Sequence, residues 1–215
     1  FDLDGTLLDS APDIAMALNK SLIKNQLNSV DENIVEKFIG TGSSGLIAGI
    51  LSRKGKRNNS LLHKKIHGDF LSAYQKHSFL QSKLYPYVAT TLSKICKHST
   101  LVCLTNKPLK ITRSVLSSAG IERYFQLVIA GDVLSKKKPS PIGVFFCAEK
   151  LKCKHKNMVM IGDSEVDIKT AQAAGIKSVG VNYGYRNDVD LLKKGATAVV
   201  REFSEIPTLI RKILV

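Results

Sequence analysis

No run of about 18 apolar residues occurs anywhere in the 215-residue chain, so the sequence offers no membrane-spanning helix. No secretory leader is visible. The chain opens at Phe1 and not at Met, so it reads as truncated, with most of a first strand expected upstream of Phe1. Cysteine is scarce. Cys96, Cys103, Cys147 and Cys153 show no CxxC spacing, which weighs against zinc or disulfides and for free thiols in a reducing cytoplasm. Acidic residues are outnumbered 18 to 32, giving a net charge of +14. Such an excess suits nucleic acid, anionic lipid or a small anionic substrate. The lysines are spread along the chain, however, and the denser patches at Arg53–Arg57 and Lys136–Lys138 carry no interleaved aromatics on which bases could stack. Nucleic acid is therefore disfavoured as a partner. There is no internal repeat and no low-complexity linker.

What is present begins at the first residues, Phe1-Asp2-Leu3-Asp4-Gly5-Thr6. If an apolar strand ends here, Asp2 and Asp4 lean to the same side of it, because side chains two apart share a face. Two carboxylates about 4 Å apart repel by about 4 kcal/mol at an effective dielectric of about 20. A divalent cation, a shared proton or solvent must offset this. Gly5 permits a sharp turn and close approach to a ligand. A plain surface turn uses the same residue types.

Downstream, residues 10 to 80 read as helices only. Ser10 suits an N-cap and Pro12 a first turn, and Ile14, Leu18 and Leu22 share a face. Asp31 opens a second helix, Gly40–Gly45 reads as a flexible loop, and Leu46–Leu51 as a short apolar helix. Leu62, Ile66, Phe70 and Tyr74 form another four-spaced face. From Tyr85 onward the texture changes. Apolar runs at Thr100–Thr105, Gln126–Ala130, Asn157–Ile161, Lys177–Val181 and Thr197–Val200 alternate with helices opening at Pro108, Pro139, around Glu165, around Arg186 and at Ser204. This pattern predicts an α/β fold, a parallel sheet covered by helices on both faces, with a small all-helical cap inserted after the first strand. The expected division is a core of residues 1–9 and 81–215 and a cap of residues 10–80.

Ligands of such sheets bind beyond the carboxyl ends of the strands. The residues expected on that rim are Asp2, Asp4 and Gly5, then Thr105, Asn106 and Lys107, then Gly131, Asp132 and Lys138, then Gly162, Asp163, Ser164 and Asp167. Carboxylates, a hydroxyl, helix-start amides and a lysine on one rim suit a divalent cation plus an anion. Each also has a structural use: Thr105-Asn106 can cap a helix, Lys138 sits in a solvated lysine run, and Asp163 or Ser164 can cap the next helix.

Four ordered segments, Asp2-Leu-Asp4-Gly5-Thr6, Leu104-Thr105-Asn106-Lys107, Lys138-Pro139 and Gly162-Asp163-Ser164-Glu-Val-Asp167, make the chain resemble a haloacid dehalogenase superfamily phosphohydrolase. Softer matches resemble its phosphoglycolate phosphatase branch: Leu8–Asp13, Phe38-Ile39-Gly40, Leu84-Tyr85-Pro86, Thr105–Pro108 and Val181–Tyr185. Tyr87, the Gly40–Gly45 loop and the basic segment after Leu51 depart from that pattern. The resemblance implies a Rossmann-like core and a Mg²⁺-dependent phosphomonoester hydrolase. Asp2 is then the nucleophile and Asp4 the acid and base. Asp2, the Asp4 carbonyl and Asp163 hold the metal. Gly5, Thr105, the Asn106 amide and Lys138 grip phosphate, with Asp167 and Ser164 supporting. It also implies a small phosphorylated acid, 2-phosphoglycolate first, in a cytoplasmic monomer or homodimer. A nucleotide, pyrophosphate or sugar phosphate phosphatase, a phosphomutase, and a basic scaffold or nucleic-acid-binding protein on the same fold are the alternatives. No role is expected for His63, His67, His77, His98 or His155.

Overall fold

The apolar runs become short parallel strands whose alternate residues enter different cores. The computed structural model describes residues 1–187 and 189–214. In order, the elements are β1 (Leu8–Asp9), α1 (Ala11–Lys24), α2 (Glu32–Glu36), α3 (Ser43–Arg53), α4 (Ser60–Lys76), β2 (Lys83–Leu84), α5 (Val88–Ile95), β3 (Leu101–Leu104), α6 (Leu109–Ser118), β4 (Phe125–Ile129), α7 (Ile142–Lys150), β5 (Val159–Gly162), α8 (Glu165–Ala174), β6 (Lys177–Val181), β7 (Ala198–Val200) and α9 (Ile206–Leu214).

β3 pairs parallel with β4, and β5, β6 and β7 pair parallel in that order. Residues 1–2 join the two sets. The Phe1 nitrogen donates to the Val102 carbonyl and Leu104 N–H to the Phe1 carbonyl, each at 2.8 Å, while Asp2 N–H donates to the Ile161 carbonyl at 2.9 Å. Phe1 and Asp2 thus run between β3 and β5, so the order is β4, β3, the N-terminal segment, β5, β6, β7. The expected strand end is present as backbone pairing.

The pleat sorts side chains by parity. Leu101, Cys103 and Ile161 pack with Val88 and Leu92 of α5, Val115 of α6 and Ile206 of α9. Leu104, Ile129 and Met160 pack with Val144 and Cys147 of α7 and Ala171 and Ala174 of α8. The sheet therefore carries helices on both faces, as its apolar-throughout strands require. The first core runs on without a break into α1, α3 and α4 through Ile14, Leu18, Ile47, Ile66 and Phe70. Burying Ile66 or Phe70 contributes about 2 kcal/mol each.

Several local expectations are corrected. Ser43–Gly45 are not loop but the first turn of α3, entered through Gly42 at φ +82. Ser10 makes no capping bond to α1. The helix expected from Pro139 starts at Ile142, because Lys138 and Ser140 each precede a proline and are held out of helical geometry. No helix forms around Arg186 among the described residues, where 185–187 are a turn; Asp188 and Val215 are not among them. Helix α5 and the antiparallel pair β1–β2 were not foreseen. Tyr87, at the start of α5, has φ +65, a left-handed conformation in which a Cβ is strained.

The two ends of the helical segment are fastened by one side chain. Asp13 is fully buried and accepts from the N–H groups of Leu80, Gln81 and Ser82 at 2.9–3.1 Å and from the Ser82 hydroxyl at 2.5 Å. Removing the acceptor leaves the Ser82 N–H and hydroxyl buried without partners. Asp13→Ala is expected to cost about 3 kcal/mol, read as a lowered urea midpoint of unfolding.

Candidate active site

The site is built where strands stop and turns expose their carboxyl ends. Asp2 closes the N-terminal segment, and Gly5 turns the chain at φ +80. A Cβ on Gly5 would collide with the Asp163 carboxylate, as would one on Gly184. Backbone therefore closes directly over Asp163. This carboxylate accepts from the Thr6 hydroxyl at 3.3 Å and from Tyr185 N–H at 3.1 Å.

Lys138 stands at the centre. Its Nζ lies 2.8 Å from Asp2 Oδ1 and 2.6 Å from Asp167 Oδ1. Asp167 Oδ2 accepts from the Ser164 hydroxyl at 2.6 Å and its N–H at 3.2 Å, so Ser164 both opens α8 and orients Asp167. Asp2, Asp163 and Asp167 bring carboxylate oxygens within 4.8 Å of one another, all three buried. Three acids against one ammonium leave negative charge in a medium that resists it. Burial, opposed in part by Lys138, pushes Asp2 up to about 6. Burial and then Asp167 and Asp2 raise Asp163 well above the carboxylate range. Burial works against the Lys138 charge, but Asp167 and Asp2 outweigh it and its pKa rises.

Asp4 faces the same cavity but has its own partners. Its Oδ1 accepts from the Ser10 hydroxyl at 2.5 Å and pairs with Lys107 Nζ at 2.6 Å. The Tyr185 hydroxyl accepts from the N–H groups of Ser10 and Ala11 at 2.5 and 2.9 Å and donates to Asp9 at 3.0 Å. Lys107 was expected on the rim but with no role of its own; Ser10 and Tyr185 were not among the expected site residues. A lysine directly after Thr105-Asn106 was the available signal for Lys107. Tyr185 ends the Val181–Tyr185 segment of the resemblance but was given no role, and it arrives from a loop 175 positions beyond Ser10.

Asp2, Asp4, Thr105 and Asn106 line one cavity of about 40 Å³ together with Lys107, Gly40, Gly42, Ser43 and Tyr74. Thr105 accepts from Lys107 N–H at 3.3 Å. Asn106 Nδ2 donates to the carbonyls of Gly40 and Lys138 at 2.8 and 2.9 Å, tying the helical segment to the lysine loop. Its Oδ1 is buried with no partner among the described residues. Lys137 donates to the Thr41 carbonyl at 2.6 Å, a second tie of the same kind. The expected residues thus converge, with one exception on the foreseen rim. Asp132 accepts from Leu109 N–H at 2.8 Å and serves the start of α6. Of the histidines, His67 bonds Ser43 and His63 bonds Ser44.

The haloacid dehalogenase-like hydrolase family profile matches residues 1–181. The chain is 36% identical over 210 residues to a phosphoglycolate phosphatase of Colwellia psychrerythraea, covering 96% of this chain and 93% of that one. It is 39% identical over 191 residues to a phosphoglycolate phosphatase of Vibrio vulnificus, covering 87% and 84%. It superposes on the crystal structure of a predicted phosphoglycolate phosphatase from Haemophilus somnus with a TM-score of 0.89 at 30% identity, covering 97% and 95%. An α/β hydrolytic core with an acidic rim is the class that fold and site define. The chain belongs to the haloacid dehalogenase-like hydrolase family.

The acid cluster sets a pH dependence. A carboxyl raised from 3.8 to about 6 in the fold binds its proton more tightly folded than unfolded. Its contribution favours the fold below that window and is lost as pH rises through it. In EDTA, stability from this group should fall between pH 3.8 and about 6. Binding a cation requires the ionised acids, so added Mg²⁺ should raise the melting temperature more near pH 7.5 than near pH 5. Thermal unfolding at both pH values, with Mg²⁺ and with EDTA, measures it.

Proposed function

We propose that this protein is a Mg²⁺-dependent phosphomonoester hydrolase working through an aspartyl-phosphate on Asp2, with 2-phosphoglycolate as its substrate. The observation that carries the reading is the convergence of Asp2, Lys138, Asp163 and Asp167 at one edge of a cavity that also presents Asp4, Thr105 and Asn106.

The donor set fits a hard cation: carboxylate oxygens, with no histidine or cysteine among them, in a pocket short of positive charge. Asp2, Asp163 and the Asp4 carbonyl would hold Mg²⁺, with Asp167 acting through Lys138. When bound, the cation supplies charge neutralisation between an anionic nucleophile and an anionic phosphate. The other roles belong to the chain. An Asp2 oxygen attacks phosphorus as the bond to the ester oxygen breaks, and Asp4 gives that oxygen a proton. Water then attacks the phosphorus, Asp4 takes its proton, and the bond to Asp2 breaks to restore the carboxylate. The Thr105 hydroxyl donates to no protein group among the described residues, and neither does Asn106 N–H. Both are available to phosphoryl oxygens beside Lys138, with Gly5 leaving room for close approach. Residues 10–80 act as the cap over the core of 1–9 and 81–215, excluding bulk water.

The named relatives support the substrate. The test is phosphate release from a panel of esters, with and without Mg²⁺. Asp2→Asn should drop kcat by about three orders of magnitude or more, the scale on which a covalent route is lost. Turnover that survives EDTA, or that Asp2→Asn leaves intact, contradicts the reading.

A further inference from the structure

We propose that Tyr74 and Lys107 form the subsite for a carboxylate on the substrate's leaving group, and so select short phosphate esters of hydroxy acids. This rests on the phosphoester reading above and names the feature of the substrate that the cavity recognises.

Tyr74 lies near the end of α4 and is 2% exposed. Its ring is held by Phe70, at 5.5 Å between centroids. Its hydroxyl is fully buried and makes no hydrogen bond of proper geometry among the described residues. A buried phenol normally finds a partner. Lys107 Nζ sits over the same ring, 4.8 Å from its centre. That ammonium has three donors; Asp4 Oδ1 takes one at 2.6 Å, and the Tyr74 hydroxyl oxygen stands close enough to interact with it. The Tyr74 O–H and the remaining Lys107 N–H, one neutral and one cationic, therefore stand together on the wall of one cavity.

The remaining walls narrow what can accept. Ile14, Phe38, Ile39, Leu46, Phe70 and Pro108 offer no polar group. The Ser43 hydroxyl is already engaged with His67. With Thr105 and Asn106 assigned to the phosphoryl oxygens, Tyr74 and Lys107 are the side-chain donors of this cavity left, among the described residues, for a second acceptor group on the ligand. Lys107 is shared with Asp4, the proposed proton donor to the ester oxygen. An acceptor reaching Lys107 must then lie within a few bonds of that oxygen. A carboxylate one carbon away meets this condition, since it offers two oxygens and a full negative charge to the cation. A neutral alcohol or an aliphatic tail does not use both donors.

Tyr74→Phe removes only the hydroxyl and keeps the ring against Phe70 and Lys107. The measurement is the ratio of kcat/KM for 2-phosphoglycolate to kcat/KM for ethyl phosphate, which lacks the carboxylate. We expect the ratio to fall at least tenfold on substitution, which is about 1.4 kcal/mol of discrimination. A smaller fall overturns the proposal, because a merely structural role lowers both esters together. If the variant does not fold, the unmodified enzyme provides the reading. Glycolate should inhibit ethyl phosphate hydrolysis at least tenfold more strongly than ethylene glycol, and comparable inhibition by the two overturns the subsite. Wild-type turnover with an unchanged ratio sinks this inference alone; no turnover of any ester sinks the phosphatase reading with it.

Discussion

The structure depends on one electrostatic arrangement: three buried carboxylates gathered around one buried ammonium. Asp2, Asp163 and Asp167 would repel one another strongly at this depth, and Lys138 bridges two of them. No core packing argument produces such a cluster, since buried charge is costly unless paired. It is held by groups that are themselves fixed. Ser164 orients Asp167 from the start of α8, Thr6 and Tyr185 hold Asp163, and glycines at 5 and 184 bring backbone against it. The elevated Asp2 and Asp163 carboxyls are the stored cost. Such a concentration of negative charge requires compensating positive charge, which Lys138 supplies in part, and residues 1–181 match a family of hydrolases.

The topology explains why these residues meet. Asp2 lies between β3 and β5 because its segment hydrogen-bonds to both. Thr105 and Asn106 follow β3, and Asp163 follows β5. The strands on either side of Asp2 thus end in the residues that flank its carboxylate. Strand parity does the remaining sorting, since alternate side chains feed two cores and leave the carboxyl ends for polar groups.

Much of this was legible in the sequence, and the failures share a cause. The five apolar runs from Thr100 to Val200 each produced a strand to within two residues, because apolarity on both faces admits few other fates. Asp2, Asp4, Thr105, Asn106, Lys138 and Asp163 were placed by position relative to strand ends, and they do converge. What escaped was whatever depended on a distant partner. Ser10 was read as a local cap, yet its hydroxyl goes to Asp4. Tyr185 reaches back to Ser10, Ala11 and Asp9 across almost the whole chain. Ser43–Gly45 looked like loop because three glycines in six residues outweigh a helical pattern that packing supplies later. Pro139 and Pro141 together delay α7, an effect that reading either proline alone as a helix start overlooks.

The helical segment contributes to the site itself, because Asp4 is shared between it and the sheet. One oxygen of Asp4 is held by Ser10, at the threshold of α1, and by Lys107, whose ammonium rests on the ring of Tyr74 in α4. Asn106 is bound to Gly40 on the helical side and to the Lys138 carbonyl on the other. Movement of α1 through α4 away from the sheet would break these contacts together. The proposed proton donor would lose Ser10, the lysine loop would lose its tie to Gly40, and water would enter beside buried charges whose interactions strengthen as the medium grows less polar. On the proposed mechanism, closure of residues 10–80 and the geometry of the reacting groups are coupled through these contacts. The groups that chemistry needs are held in place only when the space that chemistry needs is sealed.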